Sequence, residues 1–260
     1  MISDDENVRA LIEAWRLMSG CFAGSDFQSD GNVASTFANI PLPFLNISFQ
    51  ERPATGPADL RGIFSTMRQR AKACPHPSFI GLCDGWVPEG WEAVAADEGF
   101  SFALNMTGMA ADELLPLRRP SPELEYRRVR TEATSRDLAM LNAQAYGLPA
   151  GIFECICGLE LWHADSYGYV GYRDRKAISA AAALPIEGAM YIAFVATLPG
   201  EQGKGYAEAV MREAIEQGQT GMGERRIVLH ASDMGLPLYR SMGFCVGSKI
   251  PLFTPAESPA

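Results

Sequence analysis

The stretch Tyr191-Ile-Ala-Phe-Val-Ala-Thr-Leu-Pro-Gly-Glu-Gln-Gly-Lys-Gly-Tyr-Ala207 decides how this 260-residue chain is read. Residues 189–198 are a continuous apolar run, the pattern of a buried strand. The run breaks at Pro199, passes Gly200, Gly203 and Gly205, and enters a helix expected over 205–217. Glycines let a backbone approach a ligand closely. The first turn of a helix leaves N–H groups unpaired, and its dipole favours an anion. Such a junction therefore suits a phosphate, and Lys204 adds charge. A glycine-rich turn is also compatible with a turn and nothing more. The P-loop spacing G-x-x-x-x-G-K-[ST] is absent, and the glycine intervals are not those of G-x-G-x-x-G.

Working outward, two apolar strands precede this junction, at 168–172 and 177–184. Upstream of them a strand is expected at 124–130, a helix at 134–146 with Thr134 or Ser135 as N-cap, and a second helix at 151–162. Downstream lies Leu229-His-Ala-Ser-Asp-Met-Gly-Leu-Pro-Leu-Tyr-Arg-Ser-Met-Gly-Phe244, which reads as the end of a strand (226–231), a short helix (236–242) and the start of a last strand (244–250). Residues 117–122 hold Pro120 and Pro122 without apolar periodicity and are expected to be a linker. Residues 251–260, with three prolines, are expected to be a frayed tail. Before the linker, Val8, Leu11, Ile12, Trp15 and Met18 recur at helical spacing over 4–18. Two strands follow over 32–50, interrupted at Pro41 and Pro43, then a helix at 57–73, a strand at 79–86, a helix at 88–98 and a strand at 100–106.

The motif Q-x-x-G-x-A, carried by Gln202, Gly205 and Ala207, resembles the pyrophosphate loop of the Gcn5-related N-acetyltransferases, the GNAT superfamily. The block ending Tyr239-Arg-Ser-Met-Gly-Phe244 resembles that superfamily's second motif, and the order of elements over 123–250 also matches. The resemblance implies an α+β class with a mixed sheet and an acetyl-CoA-dependent N-acetyltransferase acting on a primary amine of a small molecule or protein. It implies that Phe194, Val195, Ala196 and Thr197 lie along the pantetheine arm. Gln202, Gly203, Lys204, Gly205, Tyr206 and Ala207 would hold the pyrophosphate, and Ser232 stands where many members place an asparagine near the cofactor. Tyr239 would protonate the departing thiolate. Glu154, Glu160, His163 and His230 are candidate bases, and none of them is singled out. The alternative class is a non-catalytic acyl-CoA-binding regulator.

The first half carries a fainter echo. Gly99-Phe100 ends a short helix before a strand, as Gly243-Phe244 does. At the positions matching Tyr239 and Gln202 stand Ala95 and Ala58, and no glycine pair follows Ala58. The chain thus resembles a tandem GNAT protein, with a degenerate module over 1–116 and the acetyltransferase module over 123–250.

Composition bounds the partners. Lys and Arg total 22 against 31 Asp and Glu, a net charge of −9, and both halves are acidic. No basic platform for nucleic acid or an anionic membrane is present. No apolar run is long enough to span a bilayer, and the acidic start has no secretory n-region, so a cytoplasmic location is expected. The six cysteines and three histidines lack metal-ligand spacing, so no metal is expected and the thiols are read as small buried side chains. Oligomeric state is not legible.

Overall fold

The computed structural model describes residues 2–158, 160–162 and 165–255. The chain divides into two compact units: residues 2–109, 230–236 and 245–255 form the first, and residues 110–229 and 237–244 the second. In chain order the elements are α1 (Asp4–Gly20), β1 (Asp26–Ser29), β2 (Val33–Phe37), β3 (Asn46–Gln50), α2 (Pro57–Ala73), β4 (Phe79–Gly81), α3 (Trp91–Asp97) and β5 (Phe100–Ala111). They continue with β6 (Glu125–Arg128), α4 (Glu132–Ala145), α5 (Ala150–Glu154), β7 (Tyr167–Arg173), β8 (Lys176–Ile186), β9 (Ala189–Thr197), α6 (Tyr206–Met222), β10 (Arg226–Ala231), α7 (Leu236–Met242) and β11 (Cys245–Pro255). Among the described residues no helix is long and apolar enough to cross a membrane.

The first unit has the strand order β1-β2-β3-β4-β11-β5. β1, β2 and β3 form an antiparallel meander, and β4 pairs parallel to β3 after the α2 crossover. α2 buries Leu60, Ile63, Phe64 and Met67 against Val33, Ile80, Leu82, Phe100 and Phe253. Helix α1 starts where Ser3 accepts the Glu6 N–H at 3.2 Å, with Asp4, Asp5 and Glu6 facing the positive end of the dipole.

The last strand is where the expected boundaries differ most from those observed. β11 does not end near residue 250 ahead of a frayed tail. It runs to Pro255 and inserts between β4 and β5 of the first unit, pairing antiparallel to β4 through Leu252↔Gly81 and Phe253↔Ile80. Leu252 and Phe253 are buried there, and that burial holds the strand in place against the prolines near it. Residues 256–260 lie outside the described residues. Residues 110–122, divided in the sequence reading between first module and linker, belong to the second unit.

The second unit has the order β10-β9-β8-β7-β6. Neighbours are antiparallel from β6 to β9, and β10 is parallel to β9 across the α6 crossover. β8 is buried at every residue from Ile178 to Leu184, so both of its faces are covered; α4 and α6 pack on it. Four successive alanines, Ala180 to Ala183, let both helices come close.

Three local expectations change. The cap of α4 is Thr131, upstream of the residues expected. Its hydroxyl accepts the Thr134 N–H at 3.2 Å while the Thr134 hydroxyl accepts the Thr131 N–H at 3.1 Å, a reciprocal pair that satisfies two donors. The long helix over 151–162 is instead α5 and a separate turn at Glu160–Trp162, because the chain passes through Gly158 at φ +71° between them. β1 was not expected, since all four of its residues are exposed and no apolar alternation marks it.

Candidate cofactor and active site

The end of β9 is distorted where the sequence reading placed the pantetheine arm. Ala193 pairs with Ala182 of β8 and Ala196 with Ala180, so Phe194 and Val195 together face Ala181 alone. This is a β-bulge, which leaves an extra residue out of the ladder and re-aims the strand. Phe194 takes φ +54°, a left-handed conformation for a bulky residue, which costs about 1–3 kcal/mol and persists only where the surroundings enforce it. Two neighbours enforce it. The buried Asn142 on α4 donates its Nδ2 to the Phe194 carbonyl at 3.3 Å and to the Leu138 carbonyl at 2.9 Å. The ring of Trp162, itself fixed by Nε1 donating to the Ile156 carbonyl at 2.8 Å, stands edge-on to Phe194 with centroids 5.4 Å apart. The β9–β10 register spans Ala189 to Ile192, and Ala193, Phe194 and Val195 beyond it are only half-buried.

After Thr197 the chain makes a short turn at Pro199–Glu201 and then reaches α6. Gly203 has φ +77°; Gly205, the N-cap of α6, has φ +88°. No side chain caps this helix, so its dipole end and first amides carry no resident acceptor of that kind. A Cβ at Gly203 would meet nothing within 4 Å, so the loop faces open space there. Lys204 sends its Nζ to Glu201 at 2.7 Å, and this contact holds Glu201 below the usual carboxylate range, so the charge expected from Lys204 is taken up within the loop. Tyr206 is buried, and its hydroxyl accepts from Arg173 of β7 at 2.6 Å, which ties the first turn of α6 to the sheet. Ala207, beside it, is half-buried.

Tyr239 is buried on α7, and its ring lies 6.0 Å from that of Phe244. Burial, and the Tyr146 phenol near it, push its pKa well above the ordinary tyrosine value, so it is a neutral O–H at any working pH. Tyr146, at the C-cap of α4, stacks on Phe153 at 6.3 Å. Ser232 falls in the first unit, where its carbonyl accepts the amides of Gly235 and Leu236. His230 is also assigned to the first unit, and burial lowers its pKa to about 3, which makes it a very weak base. Glu154 and Glu160 are exposed, and His163 lies outside the described residues. Among the described residues no three His, Cys, Asp or Glu side chains come together as a metal site would require.

The family model for Acetyltransferase (GNAT) family proteins matches residues 139–244. Residues 139–244 are thus a GNAT domain. No curated protein matches the chain significantly. Solved structures resemble it over nearly its whole length. A GCN5-related N-acetyltransferase from Kribbella flavida has a TM-score of 0.71 at 18% identity, covering 97% of each chain. A tandem GNAT protein from the clavulanic acid biosynthesis pathway covers 100% of this chain and 98% of its own, with a TM-score of 0.56 at 10% identity. A GCN5-related N-acetyltransferase from Sphaerobacter thermophilus covers 88% of this chain and 78% of its own, with a TM-score of 0.58 at 15% identity. At these identities the likeness is one of fold.

Within the GNAT domain, the sequence reading missed Asn142. A polar residue on the buried stripe of α4, beside Leu138, Ala139 and Leu141, was the available signal. Arg119 and Arg173, which touch the loop from the segment before β6 and from β7 respectively, have no signal in sequence spacing.

Proposed function

We propose that the second unit binds acetyl-CoA and transfers its acetyl group to a primary amine of a small molecule or protein. The observation that carries this reading is the pairing of a bulge at Phe194 with an uncapped, glycine-led helix start at Gly205, both at the end of one strand. The bulged backbone of Phe194, Val195, Ala196 and Thr197 offers peptide groups to an extended amide-bearing arm, as an added strand would use them. The amides from Gln202 to Ala207 receive the pyrophosphate at the positive end of α6. When bound, acetyl-CoA supplies an activated thioester carbonyl.

The residues then have little chemistry to perform. Positioning the two reactants lowers much of the barrier. A backbone N–H at Val195 or Ala196 steadies the oxyanion that forms as the amine attacks. The new C–N bond forms, the C–S bond breaks, and the neutral Tyr239 phenol gives its proton to the sulfur. Its raised pKa keeps that proton available across the working range. The acceptor amine loses one proton to a carboxylate, a histidine or a water chain, and the Tyr239 phenolate regains one from solvent before the next turnover.

Release of free thiol from acetyl-CoA across a panel of amines tests this. Turnover on at least one amine is expected, and Tyr239→Phe should lower kcat about 100-fold with little change in KM for acetyl-CoA. The pH profile should show no alkaline loss of an essential acid below about pH 10, because the Tyr239 pKa lies above that value. Tight binding without turnover on any amine would instead identify an acyl-CoA-binding regulator.

A further inference from the structure

The segment from Asp112 to Leu124 forms no regular element, yet it is fastened along the second unit. The Leu115 N–H donates to the Met242 carbonyl at 2.9 Å, and the Leu115 carbonyl accepts from Arg212 of α6 at 2.7 Å. Arg212 is itself held by Glu208 at 2.8 Å. Further along, the Leu124 side chain packs where a Cβ on Gly171 would sit. Between these fastenings Arg119 reaches the loop. Its Nη2 donates to the Gly203 carbonyl at 3.4 Å, and its guanidinium lies across Gly205: a Cβ there would stand 3.4 Å from Nε and Nη2 and 3.6 Å from Cζ.

The charges around the loop single this residue out. Lys204 is paired with Glu201, which leaves the loop itself without net charge. Arg173 is engaged with the Tyr206 hydroxyl. Among the described residues no carboxylate lies within ion-pair distance of Arg119, and it uses one of its five donors on a peptide carbonyl. Backbone amides orient a pyrophosphate but do not balance its two charges. A guanidinium fork matches phosphate oxygens and keeps its charge at every pH of interest.

We propose that Arg119 is a cofactor-binding residue that pairs with the pyrophosphate held at the start of α6. The proposal rests on the acetyl-CoA reading above. It gives the segment before β6 a role in the cofactor site that its sequence does not announce.

Calorimetric titration with coenzyme A and with dephospho-coenzyme A, which lacks the 3′-phosphate, tests it on four proteins: wild type, R119A, R119K and R118A. R119A should weaken both ligands alike by about tenfold. Its dependence of affinity on salt should be shallower than that of the wild type. R119K should recover part of the loss, because it restores charge but not the fork, and R118A should bind as wild type. R119A binding within about twofold of wild type would overturn the assignment. So would a loss confined to coenzyme A, which would place the arginine at the 3′-phosphate, or an equal loss in R118A, which would make the effect one of general charge. A wild type that binds neither ligand would sink the acetyl-CoA reading itself, an outcome distinct from any difference among the variants.

Discussion

Two helix starts in this molecule, at α2 and at α6, occupy the same place in the same plan and do opposite things with it. β3–α2–β4–α3–β5 in the first half and β9–α6–β10–α7–β11 in the second share one order, and each crossover helix joins two parallel strands beside an antiparallel one. At α6 the chain takes eight residues from strand to helix, three of them glycine, and leaves the helix uncapped. At α2 it takes six, Pro57 stands at the first helical position with no N–H to give, and Asp59 adds a resident carboxylate to the first turn. Arg52 grips Asp59 with two bonds of 2.8 Å, and the Thr55 N–H and hydroxyl add bonds of 2.9 and 3.0 Å. An anion site that could face solvent is thus closed internally. The other differences point the same way. β3 pairs with β2 in unbroken register, whereas β9 bulges against β8, and the buried Ala95 stands where Tyr239 stands in the repeat. On the proposed acetyl-CoA reading, the lesson is that the same strand–helix frame stands without the cofactor site, because the sheet and helices depend on apolar burial while the site depends on a handful of backbone exceptions.

The contrast can be broken most strongly at Gly205. Gly205→Val demands a β-branched residue at φ +88° and drives its Cβ toward Arg119, so it should lower coenzyme A affinity by about 100-fold or more, read by calorimetry. Gly56→Ala, at the start of α2, should leave that affinity unchanged, since Gly56 has extended backbone with nothing near its Cβ direction. A smaller effect is expected at the bulge. Asn142→Leu keeps the volume but removes the donor to the Phe194 carbonyl, so kcat/KM should fall about tenfold while the protein stays folded by circular dichroism. The smallest effect on the cofactor, none, is expected from Asp59→Asn, and its signature lies in stability. Arg52 and Thr55 hold the Asp59 carboxyl below its ordinary pKa. A depressed carboxylate stabilises the fold above its unfolded pKa and loses that contribution as pH falls through the folded value. The wild type should therefore exceed Asp59→Asn in Tm near neutrality, and the gap should close on acidification below about pH 4, followed by thermal melts.

Much of this was legible because its physical causes leave marks in the sequence. Glycine at 203 and 205 is written where left-handed backbone is needed, and the run from Tyr191 to Thr197 is apolar because the strand is central. The two Gly-Phe pairs are legible for the same reason, since Gly99 and Gly243 both have positive φ. The destination of β11 was not, because an apolar alternation states that a strand will be buried and not which sheet will bury it. Phe194 gave no warning of its conformation, since its strain is enforced by Asn142 and Trp162, distant in sequence. Lys204 was legible as a charge, but its partner Glu201 decides whether that charge is available.

The central claim is that one of the two repeated frames holds the cofactor, and stoichiometry tests it most directly. Titration of the whole chain with coenzyme A in a calorimeter should give one site per chain, abolished by Gly205→Val and untouched by Gly56→Ala. Two sites per chain, or a single site that survives Gly205→Val, would contradict it.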